Sequence, residues 1–240
     1  YEHRGSHYGR AMSEDKDKIQ NQVSGDGWRS AGAGGGAFTG GGTLFTEPIL
    51  VVNQKAKIIE LSNQYAVYDQ NGNQIAQVNQ VGQSWLKKAL RLVSSLDQFL
   101  THTLEVSDNT GVVQLRIVRP GKIVKSKIIV SDGAGTEIGR IEQQNGIGKI
   151  NFALSAQGRN IGTIKAENWR AWNFAIEDAS GVEVARITKT FEGVLKTAFT
   201  TADNYVVQIH KKLEAPLLQL VIASAVSVDT ALKQDSRGLG

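Results

Sequence analysis

Cysteine is absent from the 240 residues of the chain. Its absence excludes disulfide bonds, thiol catalysis, thiolate metal sites and palmitoylation. The chain also lacks the GxSxG, HExxH, P-loop and Rossmann motifs, and its four histidines do not have the spacing of metal ligands. We therefore expect the protein to be no enzyme, to need no cofactor and to hold no metal ion.

A strong charge of either sign is also lacking, because 27 Lys and Arg residues face 23 Asp and Glu residues. The resulting net charge of +4 permits attraction to anionic lipid or nucleic acid but requires neither. The sequence has no dense Lys/Arg stripe, so no nucleic-acid partner is expected. The share of hydrophobic residues, 40%, is ordinary for a globular protein.

Core-forming residues are scarce at the N-terminus, where SAGAGGGAFTGGG (30–42) is a glycine-rich segment of low complexity. Such a segment buries too little apolar surface to offset the entropy lost on ordering. We expect residues 1–43 to form a disordered tail and residues 44–235 to form one folded domain. Residues 236–240 are expected to be a flexible C-terminus.

Five segments share one pattern, in which two alternating apolar runs flank a turn that contains Gly and, in four of them, Asp. Alternation with a period of two is typical of a β-strand, and Asp and Gly supply the conformations of a hairpin turn. We interpret each segment as a β-hairpin and each aspartate as an Asx-turn former rather than a catalytic carboxylate. The segments are YAVYDQNGNQIAQV (65–78), LEVSDNTGVVQLRI (104–117), IIVSDGAGTEIGRI (128–141), FALSAQGRNIGTI (152–164) and FAIEDASGVEVARI (174–187).

Further strands are predicted at 48–54, 56–62 and 204–210, which gives about a dozen strands in all. A meander of that many strands hides its edges by closing into a barrel. In four of the second hairpin strands a small residue stands two positions before an apolar one and so shares its face. We predict that this face points inward and makes room for a central helix. The small residues are Ala76, Gly139, Gly162 and Ala185.

The stretch APLLQLVIASAVSVDTAL (215–232) is the most apolar in the chain and suits either a bilayer or a protein core. Its part from 215 to 228, in which only Gln219, Ser224 and Ser227 are polar, is about 21 Å long as a helix, whereas a bilayer core needs ~30 Å. We therefore predict that it is buried inside the barrel. The expected core residues of this central helix are Leu217, Leu220, Val221, Ala223, Ser224 and Val228.

The segment SWLKKALRLVSSLDQFL (84–100) has the periodicity of an amphipathic helix. Trp85 stands near its start, and Lys87, Lys88 and Arg91 cluster on its polar side, a combination that suits a lipid headgroup layer. Two compatible interpretations stay open. The helix packs on the outside of the barrel with its basic face in solvent, or this face contacts a membrane.

The stretch AFTTADNYVVQIHKKLEAPLLQLVIASAVSVDTAL (198–232), with EPILVVNQ (47–54) and DQNGNQI (69–75), resembles the phospholipid scramblase and LURP-one-related family. The resemblance covers about residues 44–233. It implies the tubby-like fold: a closed, roughly 12-stranded antiparallel β-barrel threaded by a buried C-terminal helix, here with one outer amphipathic helix. It also implies phospholipid association, and lipid scrambling in some members.

The resemblance further implies a calcium loop, and here the sequence departs from the family. The degenerate loop holds Thr201 and Lys212 where the family has acidic residues, and Val206 where it has Gly. Asp203 keeps a carboxylate, and Tyr205 also lies in the loop. Since Ca²⁺ needs several oxygen ligands and a terminal acid, we predict that this chain binds no calcium.

The function expected from these observations is that of a non-enzymatic protein that binds anionic phospholipid surfaces and facilitates lipid movement without calcium. Its expected location is cytoplasmic, as a peripheral protein on the inner face of the cell membrane. One alternative is a single-pass membrane protein anchored by residues 215–232. Another is a soluble structural or protein-interaction module with no lipid role. The sequence names no protein partner.

Overall fold

The computed structural model describes residues 40–53, 64–82, 101–121, 126–144, 151–168, 173–189 and 204–235. Within the C-terminal helix it describes side chains as far as Ser227. The strands are β1 Ile49–Asn53, β2 Gln64–Tyr68, β3 Gln74–Val81, β4 His102–Asp108, β5 Val113–Arg119, β6 Lys127–Asp132, β7 Glu137–Gln143, β8 Asn151–Ala156, β9 Arg159–Asn168, β10 Asn173–Asp178, β11 Glu183–Lys189 and β12 Asn204–Ile209. The helix α1 spans Leu217–Asp235.

The strands form a closed antiparallel barrel in which each strand pairs with its neighbours along the chain. Closure comes from the first and last strands, where Val51 of β1 lies opposite Val206 of β12. The closed ladder leaves no strand edge open to another chain. The predicted closed barrel around a buried C-terminal helix is therefore confirmed. The predicted strand 56–62 and the predicted helix 84–100 lie outside the described residues.

The hairpin turns repeat one hydrogen-bonded motif. In the β4–β5 turn, Oδ1 of Asp108 accepts the backbone N–H groups of Thr110 and Val112 at 2.9 and 3.0 Å. Gly111 has a φ of 86°, which only glycine adopts without strain, and its N–H bonds the carbonyl of Asp108. The same carboxylate-to-backbone bonds recur in the other Asp-containing hairpins, so the Asx-turn interpretation is confirmed. The equivalent aspartates are Asp69, Asp132 and Asp178.

Helix α1 fills the barrel and contacts β5, β7 and β12. Leu220, Val221 and Ala223 are 0% exposed. Gly139 of β7 explains how the helix fits: a Cβ there would collide with the Ser155 carbonyl and crowd the Leu220 side chain. Gly162 lies beside Leu217 of the helix, and a Cβ there would collide with the Glu177 carbonyl of the neighbouring strand. The prediction that small wall residues face a central helix is thus confirmed.

The two buried serines of the helix bond to the helix itself. The Ser224 hydroxyl donates to the Leu220 carbonyl and the Ser227 hydroxyl donates to the Ala223 carbonyl, each at 2.6 Å. Serine can therefore stand on a fully buried helical face without an unmet hydrogen bond. No helix in the described ranges combines the length and apolarity that a bilayer crossing requires.

Enlarging the helix should destabilise the barrel. Replacing Ala223 with Trp puts a large ring where the wall leaves no room, and we expect a loss of about 1–3 kcal/mol in the free energy of unfolding. Denaturant unfolding measures it. Ala179→Trp is the matched control, because Ala179 is exposed in the β10–β11 turn. Equal stability of both variants would contradict the placement of α1.

Candidate functional site

The strand directions give the barrel two different ends. The hairpin end carries the five tight turns, the segment 40–48 that leads into β1, and the segment 210–216 between β12 and α1. At the far end, β1, β3, β5, β7, β9 and β11 finish, and the next strand of each pair begins. The six connections between these strand ends lie largely outside the described residues. They contain 54–63, 83–100, 122–125, 145–150, 169–172 and 190–203.

Charge is segregated between these two ends. The hairpin-end segments contain six acidic residues, namely Glu47, Asp69, Asp108, Asp132, Asp178 and Glu214, against the basic residues Arg159, Lys211 and Lys212. The far-end connections contain ten basic and four acidic residues. The far-end connections therefore carry an excess of six positive charges in the sequence, which the net charge of +4 of the whole chain conceals.

The outer wall between the two ends is close to neutral. Five of its basic side chains form ion pairs with carboxylates, three of them at 2.6 Å. Exposed pairs of this kind contribute little to stability, but they cancel the charge of the wall locally. The described wall thus offers no continuous positive face. The pairs are Arg116–Glu105, Lys127–Glu142, Arg140–Glu137, Lys165–Glu177 and Arg186–Glu183.

Two hairpin aspartates are held in the charged form by their turns. The hydroxyl of Thr110, followed by backbone and amide donors, lowers the pKa of Asp108 below its usual range. The N–H of Val182 is the main cause that lowers the pKa of Asp178, and the Lys211 ammonium at 3.1 Å adds to it. The Lys211–Asp178 pair ties the segment before α1 to the β10–β11 turn. It helps to fix the negative charge at the hairpin end.

The residues predicted to contact membrane, Trp85, Lys87, Lys88 and Arg91, lie outside the described residues. Both ends of their segment are nevertheless placed, because β3 ends at Val81 and β4 begins at His102, both at the far end. The segment therefore begins and ends at the far end of the barrel.

The predicted degenerate calcium loop falls largely on a strand. Thr201 and Asp203 lie outside the described residues. Tyr205 belongs to β12 and is 0% exposed in the core, whereas Lys212 is exposed beyond the other end of this strand. Tyr205 and Lys212 therefore stand at opposite ends of β12, a strand that is about 20 Å long at ~3.3 Å per residue. No group of three or more His, Asp or Glu side chains in the described ranges could hold a metal ion.

Most of the expected core residues of the central helix lie in the barrel interior. Leu220, Val221, Ala223 and Ser224 are buried there. Leu217 is half-buried and packs on the same cluster. The side chain of Val228 lies outside the described part of the chain.

Sequence reasoning missed a group of polar side chains inside the barrel. His102, Arg119 and Gln143 are each 6% exposed, and Ser126 is 3% exposed. The sequence contained a signal for their burial, because each of the four stands two positions from a core residue. The core residues are Leu104 for His102, Ile117 for Arg119, Ile141 for Gln143 and Ile128 for Ser126. Alternation places such residues on the inner face. Composition alone suggested that polar residues lie outside.

This chain is similar to proteins of known family and structure. The sequence profile of the Scramblase family matches residues 42–232. The Saccharomyces cerevisiae protein "Altered inheritance rate of mitochondria protein 25" is 24% identical, in a match that covers 78% of this chain and 71% of that protein. An X-ray structure of a protein from Arabidopsis thaliana matches with a TM-score of 0.44 and 11% identity, over 76% of this chain and 92% of that one. The chain belongs to the Scramblase family, which indicates a lipid-related role.

The Asp178 carboxyl should make the thermal stability of the protein depend on pH in the acid range. A carboxyl whose pKa is lowered by folding adds stability above its unfolded pKa, near 3.8, and this stability is lost as the pH falls through the folded value. Asp178→Asn should therefore flatten the fall of Tm between about pH 4 and pH 2. Ser180→Ala, in the same turn, keeps the carboxylate and should retain the wild-type slope. Identical slopes for all three proteins would contradict the assignment.

Proposed function

We propose that this Scramblase-family protein is a non-enzymatic phospholipid-binding protein that docks its far end on anionic membrane surfaces and facilitates lipid movement there without calcium. The observation that carries the proposal is the segregation of charge. Ten basic and four acidic residues lie in the connections of one end, and the acidic turns lie at the other.

This charge distribution favours one orientation on a membrane. A basic residue near an anionic surface contributes ~1 kcal/mol, and the attraction decays within a Debye length of about 10 Å at 0.1 M salt. The barrel holds the acidic turns farther than one Debye length from its far end. Salt therefore screens most of the repulsion between these carboxylates and an anionic surface at the far end. The wall adds little net attraction or repulsion, because each of five cationic side chains there has a carboxylate partner.

The segment 84–100 is the proposed point of contact. Its amphipathic sequence joins an aromatic residue, Trp85, to the cationic side chains Lys87, Lys88 and Arg91. Aromatic and basic residues together favour the headgroup layer. The ends of the segment are fixed at the far end by β3 and β4, which supports its placement on the membrane-facing side.

Independence from calcium is supported by the position of β12. Calcium sites in proteins collect six to eight oxygen ligands around one point. An extended strand between Asn204 and Ile209 instead spreads its side chains along the barrel wall, with Tyr205 and Val207 in the core. The cationic end of this segment, Lys212, repels a second cation.

The proposal predicts a salt-sensitive loss of binding in a triple variant. Changing Lys87, Lys88 and Arg91 to Gln should weaken binding to phosphatidylserine-containing vesicles by on the order of a hundredfold at low salt, at ~1 kcal/mol per residue. Flotation of the full chain, without detergent, measures it. The matched control removes three cations from the hairpin end, Arg159, Lys211 and Lys212, and should bind like wild type.

The outcomes separate the alternatives. Equal binding by both triple variants would remove segment 84–100 from the mechanism. Absence of vesicle binding by the wild type would favour the structural or protein-interaction module. Dependence of the purified chain on detergent would favour anchoring by residues 215–232.

Calcium should neither bind nor stabilise the protein. We expect no saturable heat on titration with millimolar calcium and an unchanged Tm, because a ligand of the native state raises Tm through mass action. Vesicle binding and the transbilayer movement of a fluorescent lipid should likewise be unchanged by a calcium chelator. A single-site isotherm, or activity that disappears on chelation, would overturn calcium independence.

A further inference from the structure

One sector of the outer wall, around the line where β1 pairs with β12, carries no charge. The strands β12, β1, β2 and β3 contain no charged residue, and the five ion pairs of the wall all lie on β4 to β11. On β1 the main core takes Leu50 and Val52, so alternation turns their neighbours outward, into a separate apolar cluster. We call this cluster the seam face. Its members are Ile49, Val51, Tyr68 and Val206.

The seam face is buried although it lies on the outside of the barrel. Val51 is 0% exposed and Ile49 is 7% exposed. The side chains that flank Val51 in register are Val206 on β12 and Tyr68 on β2. Side chains on one face of a sheet stand side by side, so two flanking residues leave the top of the residue between them open.

Another outward aliphatic residue shows the difference. Ile129 of β6 is flanked in register by Val118 and Arg140, and it stays partly exposed. Val51 has the same kind of position and no exposure at all. A further layer of chain therefore lies above Val51.

The connection between β11 and β12, residues 190–203, has a sequence that suits such a layer. It lies outside the described residues, but both its ends are placed, because Lys189 of β11 lies opposite Tyr205 of β12. Four apolar residues recur in it at the i, i+3, i+4 and i+8 spacing of one helical side, and Glu192 and Lys196 fall on the other side. The apolar residues are Phe191, Val194, Leu195 and Phe199.

We propose that residues 191–199 form a helix whose apolar side packs on the seam face and covers the pairing of the first and last strands. Such a helix is about 12 Å long at ~1.5 Å per residue, and β1 is about 13 Å long at ~3.3 Å per residue. Packing in this orientation leaves Glu192 and Lys196 in solvent and buries no charge.

Connectivity favours this segment over the other far-end connections. It is attached directly to β12, the strand that supplies Val206 to the seam face. The connection 83–100 instead follows β3, two strands away from β1. The connection 54–63 holds three charged residues among its ten, namely Lys55, Lys57 and Glu60.

Engineered disulfides test the contact in the full-length protein, which has no cysteine of its own. Val51→Cys is combined with a second cysteine at each of the four apolar positions of 191–199 in turn. A disulfide needs Cβ atoms about 3.5–4.5 Å apart, so at least one of these pairs should form an intramolecular bond on mild oxidation. Mass spectrometry of the linked peptides identifies it. Lys196→Cys and Thr197→Cys, on the polar side of the same segment, are the matched controls and should stay reduced.

A disulfide at an apolar position, with none at the two controls, supports the proposal. Absence of any disulfide between position 51 and the segment overturns it, as does equal reaction of both sides. Disulfides with Ile58→Cys or Leu90→Cys in place of the segment assign the seam face to another connection and overturn it as well. If Val51→Cys does not fold, Val206→Cys on the same face replaces it.

Thermal unfolding gives a second, independent readout. Leu195→Asp places a carboxylate on the packed side and should lower Tm by at least about 5 °C. Thr197→Asp adds the same charge two residues away on the polar side and should keep the wild-type Tm. Equal Tm values for the two variants overturn the proposal. Neither experiment involves lipid, so their outcome is separate from that of the proposed membrane role.

Discussion

The structure depends on the fit between one apolar helix and the wall that surrounds it. A barrel of twelve strands is too wide for its own side chains to fill, so its core needs a further element. Helix α1 supplies that element and packs on glycines of the wall, with Leu220 beside Gly139 and Leu217 beside Gly162. A helix that is apolar on nearly all sides has to be buried on nearly all sides, and the barrel interior provides that burial. Neither the wall nor the helix has a core without the other.

Closure around the helix also decides where the polar parts of the chain lie. Five connections are tight turns built on Asp and Gly or on Gln157–Gly158, which have positive φ values of 51° and 73°. These turns collect at one end and hold carboxylates there through backbone N–H groups. The longer, lysine-rich connections collect at the other end. An up-and-down barrel thereby assigns the acidic turns and the lysine-rich connections of a nearly neutral sequence to opposite ends of its strands, and this supports the proposed orientation on a membrane.

The interior is less uniform than its composition suggests. Most inward positions are apolar, yet His102, Arg119 and Gln143 remain buried at the far end. Burial of a cation is unfavourable unless partners compensate for lost hydration. Polar partners lie beside them: the Gln80 amide nitrogen is 2.8 Å from Nδ1 of His102, and the Gln143 side chain accepts the Ser126 N–H.

Local patterns in the sequence determined the hairpins, the turn aspartates and the burial of the C-terminal helix. Alternation, Asp–Gly spacing and helix length are properties of short segments, and their physical causes act within those segments. Tertiary structure alone decided which residues meet. The register that sets His102 against Arg119, and Ser126 against Gln143, joins positions 17 residues apart in each case. The separation of charge between the ends likewise required the direction of every strand. These relations arise from barrel closure, a long-range constraint that no single segment contains.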